Sequence, residues 1–384
     1  MRVLVIDPNA VRTGELSKAA ALAACGPAVT VLAPRAWREN YRRQVAPAAW
    51  AGNYRLVRAP ALGKPPNRAV FLAGLAEALR PAPEVVLALS DENFWLTGQA
   101  LLMQRLLAPR ARFVCHSWRN LCFDRRWHPQ PSPALYAADT WLERRIFARA
   151  AAIIARNRAA ATVLRRRGFR GRVVYIPWGV DTGHFRPAAA PPAPRPYTVG
   201  FVGRFSPEKG LDTLLAASAC MAAPHRLVLL GEGPLAGAVR AMAARSGPGR
   251  VEILPLVDHA AMPALYRRLD ALVLPARPAG FDLEQFGRVL VEAMACGVAV
   301  AGSDAGAIPE VIGRAGLVFP AGDSEALAAA LDRLAAPGPR AELAAAGLVR
   351  ARERFSWAAW ALATTNLLET LVAGREPGPP LEVW

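Results

Sequence analysis

The sequence predicts an α/β protein built as two doubly wound domains. Three observations carry this: short β-branched runs alternate with helical stretches, the alternation occurs twice, and a proline-rich segment separates the two rounds. The chain has 384 residues, more than a single core ordinarily spans and ample for two. Apolar residues make up 53% and charged residues 20%, so it can bury substantial cores and is neither a fibre nor a disordered tail.

In the first half the strand-like runs are Val3–Ile6, Ala28–Leu32, Tyr54–Ala59, Val85–Leu89, Phe113–His116, Ala152–Ala155 and Val173–Ile176. Helical patterns fall between several of them, at Glu15–Ala24, Ala69–Leu79, Thr97–Leu107 and Tyr136–Arg149. Strands that alternate with helices pair in parallel, because the helical crossover returns the chain to the same sheet edge. Pro187–Pro196 then holds five prolines in ten residues. Proline lacks the backbone donor that a helix or sheet interior needs, so this stretch reads as a semi-rigid linker.

The second half repeats the pattern. Strands are expected at Thr198–Val202, Arg226–Leu230, Val251–Leu254, Ala271–Leu274 and Val298–Gly302. Helices are expected at Leu211–Met221, Leu235–Ala244, Met262–Leu269, Arg288–Ala295, Ser324–Leu334 and Trp357–Val372. The reading is therefore a first domain over 1–187, a linker over 188–196, a second domain over 197–356, and a terminal helix with a loose tail over 357–384. Doubly wound sheets bind ligands beyond the carboxyl ends of their strands, and two facing one another leave a cleft there.

Composition excludes several classes. Cys25, Cys115, Cys122, Cys220 and Cys296 are widely spaced and show no metal-binding pattern, so neither a disulfide framework nor a zinc site is indicated. MRVLVID reads as a first strand, not a secretory leader, and no apolar run is long enough to span a bilayer. A cytoplasmic protein is expected.

Two segments carry chemistry. Gly203-Arg204-Phe-Ser-Pro-Glu-Lys209-Gly210 follows a buried strand and precedes a helix. Its two cations stand at the ligand edge and suit a polyphosphate. Glu284-Gln285-Phe286-Gly287-Arg288-Val289 leads into a small-residue helix that carries Glu292, and seven residues separate the two glutamates. Carboxylates offer paired acceptors to sugar hydroxyls, and the N–H groups of Gly287, Arg288 and Val289 at the helix start suit a phosphate.

With these residues in view, the second half resembles the nucleotide-sugar domain of retaining glycosyltransferases of family 4, which have the GT-B fold. The two glutamates match the family's carboxy-terminal motif, and Arg204 and Lys209 match its glycine–arginine and lysine–glycine loop. Further matches are Gly231-Glu-Gly-Pro, Ala301–Glu310, Gly316-Leu-Val-Phe-Pro and, at the domain junction, Ile176–Pro187. The resemblance implies two Rossmann-like domains facing across a cleft. It implies that Arg204 and Lys209 hold the donor diphosphate, that Glu292 takes the ribose and Glu284 the sugar hydroxyls, and that Leu256 and Val257 lie beside the nucleobase. Glu284, His116, Arg204 and Lys209 are the candidate catalytic residues, and Gln285, Phe286, Gly287, Arg288 and Val289 complete the donor set. No metal or cofactor is implied beyond the nucleoside diphosphate sugar itself.

The implied activity is transfer of a hexosyl unit, with retention, from a UDP- or GDP-type donor to an acceptor. A different GT-B enzyme, such as a nucleotide-sugar epimerase, and a non-catalytic nucleotide-sugar-binding module are the alternatives. His116 ends a strand, where a cleft residue would stand; a structural histidine is the competing reading. Gly14 is a weak candidate, because its loop carries one glycine where the family often has two adjacent ones. Gly231-Glu-Gly233-Pro234 has the wrong spacing for a dinucleotide turn.

The charge is lopsided. Up to Pro187 there are 29 basic and 11 acidic residues, a net of +18, whereas the remainder carries −1 of the total +17. Trp37–Arg43 reads as an interfacial helix and Arg165–Arg172 as a second basic cluster, one that the helix dipole also explains. An anionic acceptor, or an anionic membrane touched from the inner face, is the expected partner. No motif for sequence-specific nucleic-acid binding is present.

Overall fold

The computed structural model describes all residues except 12, 40–41, 46–51, 65–67, 121–131, 190–194, 246, 248, 279–282 and 376–384. The described chain divides into two compact units, Met1–Trp178 with Trp357–Trp384, and Gly179–Ser356. The first division falls earlier than the expected boundary at Pro187. The terminal segment is not a separate appendage, since it groups with the first unit. Most of the expected linker lies outside the described residues.

The first unit is built on strands β1 Arg2–Ile6 and β2 Ala28–Pro34, hairpin strands β3 Ala36–Glu39 and β4 Arg42–Val45, and β5 Arg55–Ala59. A second hairpin, β6 Ala61–Lys64 and β7 Arg68–Phe71, precedes β8 Val85–Asp91, β9 Arg112–Ser117, β10 Ala152–Ala155 and β11 Val173–Tyr175. Its helices are α1 Thr13–Ala24, α2 Leu75–Ala78, α3 Trp95–Leu107, α4 Pro133–Phe147 and α5 Arg158–Arg166. Seven strands form one parallel sheet in the order β11-β10-β9-β8-β1-β2-β5. Every residue of β8 is buried, as a strand covered on both faces requires. Leu4, Ile6, Val86, Phe113 and Ile153 belong to one core.

Two expectations change here. Trp37–Arg43 is not an interfacial helix: its described residues form the β3–β4 antiparallel pair. The helix expected over Ala69–Leu79 is the strand β7 followed by the single turn α2. Gly74, at a φ of 83°, separates them, and a residue in that conformation cannot continue a helix.

The second unit contains β12 Tyr197–Val202, β13 His225–Leu230, β14 Val251–Leu254, β15 Ala271–Leu274, β16 Ala299–Ser303 and β17 Leu317–Phe319. They form a parallel sheet in the order β14-β13-β12-β15-β16-β17. The helices are α6 Leu211–Cys220, α7 Ala236–Arg245, α8 Met262–Tyr266, α9 Arg288–Ala295, α10 Ile308–Ile312, α11 Ser324–Ala335 and α12 Pro337–Arg354. A last helix, α13 Trp357–Val372, packs along α1 within the first unit. In each sheet the strand order reverses at the first strand, β1 or β12, which puts a topological switch point at its carboxyl end.

Candidate functional site

In the second unit, Arg204 and Lys209 follow the carboxyl end of β12, and Lys209 meets Glu284 there. Gly203 ends the strand, and its N–H bonds the Leu230 carbonyl at 3.0 Å, turning the chain off the sheet. Arg204 is exposed in the loop that follows, and Lys209 closes that loop before α6. The Lys209 Nζ stands 2.6 Å from Glu284 Oε2. The other oxygen, Oε1, accepts the Gly287 N–H at 3.0 Å. Burial alone would raise the Glu284 pKa, but the adjacent ammonium and the amide bonds reverse this and hold the carboxyl below its usual range. Glu284 is therefore an ionised acceptor across the neutral range.

The backbone under Glu284 is clamped. Its carbonyl accepts the Ala307 N–H at 3.0 Å, and a Cβ on Gly306 would lie 2.2 Å from that same oxygen. Gly306 has a φ of 61°, so both the conformation and the close approach require glycine. Gly287 caps α9 at a φ of 79°. Its N–H is engaged by Glu284, which corrects the expectation that this amide is open to a phosphate.

Glu292 lies within α9 and is buried. Its Oε2 accepts the Tyr266 hydroxyl at 2.6 Å, and Oε1 faces His259 Nε2 at 3.3 Å. Burial, then the carboxylate itself, pushes the Tyr266 phenol well above its usual range, so the hydroxyl stays a donor. His259 lies edge-on to Phe185, with ring centroids 5.2 Å apart. Neither Tyr266 nor His259 was singled out from the sequence. The signal was the apolar stripe of the Met262–Leu269 segment, on which Tyr266 sits at an inward position. Leu256 and Val257 follow β14 and are exposed, Gln285 is exposed, and Phe286 is buried against Phe355 at 5.8 Å. Arg288 and Val289, in the first turn of α9, are half-buried.

His116 belongs to the first unit and is fully buried. Arg156 Nε donates to its Nδ1 at 2.8 Å, which assigns the ring proton to Nε2. That Nε2 is buried without a hydrogen-bond partner. Burial, and then the Arg156 and Lys18 cations, hold the imidazole well below its usual pKa, so it is neutral. The Arg156 guanidinium lies over Trp118 and Trp178 at 3.5 and 3.3 Å, and Trp360 meets the His116 ring at 6.5 Å. Lys18 is nearby, 2.7 Å from Asp7, 2.9 Å from Glu15 and over the Trp178 ring at 4.3 Å. Gly14 is exposed at the start of α1, where its carbonyl accepts the Ser17 hydroxyl.

The basic cluster after α5 is partly spent on structure. Arg165 donates to the Phe169 and Gly171 carbonyls at 2.9 and 2.7 Å, and Arg167 pairs with Glu143. Among the described residues no group of three potential metal ligands occurs, and no helix is long and apolar enough to cross a membrane.

Comparison with known proteins decides the family. Residues 196–336 match the family described as Glycosyl transferases group 1, and residues 10–179 match the Glycosyl transferase 4-like domain. A relative named alpha-maltose-1-phosphate synthase, from Mycolicibacterium smegmatis, is 34% identical over 69% of this chain and 74% of its own. The chain belongs to the family-4 glycosyltransferases. A D-inositol 3-phosphate glycosyltransferase of Segniliparus rotundus is 30% identical over 71% of this chain, and the match spans 64% of that relative's length. Among solved structures, the sucrose-phosphate synthase of Thermosynechococcus elongatus covers 97% of this chain and 100% of its own at a TM-score of 0.68 and 22% identity. The Anabaena protein HepE in complex with UDP covers 96% and 100% at a TM-score of 0.66 and 18% identity. These likenesses show the GT-B fold.

Proposed function

We propose that the protein is a retaining, metal-independent transferase that moves a sugar from a UDP- or GDP-type donor to a phosphate-bearing acceptor. One observation carries the donor part. Lys209, Glu284 and the cap of α9 are bonded into a single unit at the switch point of the second sheet, with Glu292 held in the second turn of α9. A diphosphate placed at Arg204 and Lys209 meets the cations that would neutralise it as it departs. Tyr266 fixes one oxygen of the Glu292 carboxylate, and the other, Oε1, stands beside the exposed His259 as the acceptor for ribose hydroxyls. Glu284, ionised and clamped, accepts hydroxyls of the transferred sugar.

In the transfer, the bond between the anomeric carbon and the β-phosphate oxygen breaks and a bond from that carbon to the acceptor oxygen forms. The acceptor's proton passes to the departing phosphate, which family members use as base on the attacked face. Lys209 and Arg204 carry the negative charge that develops.

The acceptor part rests on charge and on kinship. The first half carries the whole cationic surplus, and several relatives are named for phosphate esters, including D-inositol 3-phosphate and phosphatidylinositol monomannoside. An acceptor that is itself a phospholipid would place the protein at the inner membrane face. The test is a nucleotide-sugar panel read by calorimetry and by product mass spectrometry. Retained donor affinity and turnover in both Arg204→Ala and Glu292→Ala would overturn the assignment. Conversion of donor without any acceptor would indicate an epimerase instead.

A further inference from the structure

We propose that α3 and α4 together form a surface that docks on an anionic lipid bilayer. The idea deepens the phospholipid-acceptor reading and gains its biological sense from it, but the surface lies outside every residue assigned to donor binding.

On α3, Leu102 is 57% exposed and Leu106 is 66% exposed, one turn apart on the same stripe. On α4, Trp141 is 58% exposed. The two helices are neighbours: Trp95 Nε1 bonds Asp139 at 3.2 Å, and a Cβ on Gly98 would meet the Leu142 side chain. The small residue lets α4 pack close, and the stripe that begins at Gly98 continues outward through Leu102 and Leu106. A lone exposed leucine is ordinary, but Leu102, Leu106 and Trp141 place three exposed large apolar side chains on two neighbouring helices.

Among the described residues of these helices and their ends, the exposed charge has one sign. Arg105 on α3, Arg144 and Arg145 on α4, and Arg110 and Arg149 just beyond the helices are exposed. Arg145 leans over the Trp141 ring at 5.1 Å. The α3 sequence contains no acidic residue, and both acids of α4 point inward. Asp139 is buried at the Trp95 indole, and Glu143 is buried between Arg119 and Arg167. Neither helix therefore offers a carboxylate to solvent.

That pattern selects the occupant. Apolar groups that enter the acyl boundary, with arginines at headgroup level, suit an anionic leaflet, where each cation near the surface adds to the attraction. A second copy of the chain fits poorly, because a two-fold contact sets the same patch on itself and arginine would meet arginine. The indole of Trp141 is a side chain that favours the interface between water and hydrocarbon.

The test is co-sedimentation of the full chain with phosphatidylcholine vesicles and with equimolar phosphatidylcholine and phosphatidylglycerol vesicles, without nucleotide sugar. The wild type is expected to bind the anionic vesicles and to lose binding at high salt. L102S/L106S and, separately, R145E/R149E should each lower that binding about tenfold or more while unfolding at the parent's temperature. Unchanged binding in both variants overturns the proposal, as does equal binding of the wild type to the neutral vesicles. Dispersal of a wild-type dimer by L102S/L106S with no vesicle binding would also overturn it, in favour of a self-contact. Nucleotide-sugar binding in the same preparations separates the two readings, since its loss in the wild type would count against the transferase alone.

Discussion

The carboxyl ends of β12 and β1 occupy equivalent positions in their sheets, yet their polar groups live in opposite conditions. At β12, Arg204 is exposed, Lys209 and Glu284 are half-buried, and the carboxylates of Glu284 and Glu292 are held by specific donors. At β1, Lys18, His116 and Arg156 are sealed by Trp118, Trp178 and Trp360. The comparison teaches that a switch point is a place for charge but does not by itself make a ligand site. At β12 the groups are poised for a partner from solution. At β1 the partners are already built in, and the indoles replace water around two cations.

Breaking the buried set should cost folding. Lys18→Met leaves Asp7 and Glu15 as uncompensated carboxylates and is expected to lower unfolding free energy by about 3–5 kcal/mol in urea titration. A loss under about 1 kcal/mol would mean the network is not a stabilising element. Breaking the exposed set should cost function first. Lys209→Ala is expected to lower turnover about 10²–10³-fold, because it removes the cation proposed to stabilise the leaving group. Steady-state kinetics on the donor that binds would check this, with folded content followed by circular dichroism.

Glu292 tests the border between the two behaviours, since it is buried like Lys18 but assigned to the donor like Lys209. Glu292→Gln keeps an acceptor for Tyr266 and should cost about 1–3 kcal/mol of donor affinity with a smaller change in stability. A stability loss with unchanged donor affinity would move Glu292 to the structural side. A pH-dependent effect concerns Asp91, whose carboxyl burial raises from 3.8 to about 7, with the neighbouring Glu92 adding to the shift. A raised carboxyl favours the folded state when protonated, so its contribution is full below about 4 and is lost as pH rises through about 7. Asp91→Asn should flatten that part of the stability–pH profile, measured as urea midpoints; an unchanged slope would contradict the assignment.

Much of this was legible in the sequence because it rests on strong local patterns. The all-apolar runs at Val85–Leu89 and Ala271–Leu274 fall within strands, and Glu284 and Glu292 flank the start of a helix as their spacing suggests. The hairpins β3–β4 and β6–β7 were not legible, being four-residue strands of mixed polarity too short to show a period. Nor was α12, which opens Pro337-Gly-Pro and reads as a break, although proline is accommodated in a helix's first turn. The burial of His116 depends on Trp178 and Trp360, distant in sequence, so no local pattern could disclose it. The pairing of Lys209 with Glu284 spans 75 residues and depends equally on the fold.

The central claim is that the β12–α9 site, and not the sealed cluster of the first unit, binds the nucleotide sugar. Calorimetric titration of UDP and GDP sugars into the wild type, Lys209→Ala and Lys18→Met, each confirmed folded, addresses it directly. The account predicts that Lys209→Ala loses affinity about tenfold or more while Lys18→Met binds as the parent does. Loss in Lys18→Met with full affinity in Lys209→Ala would contradict it.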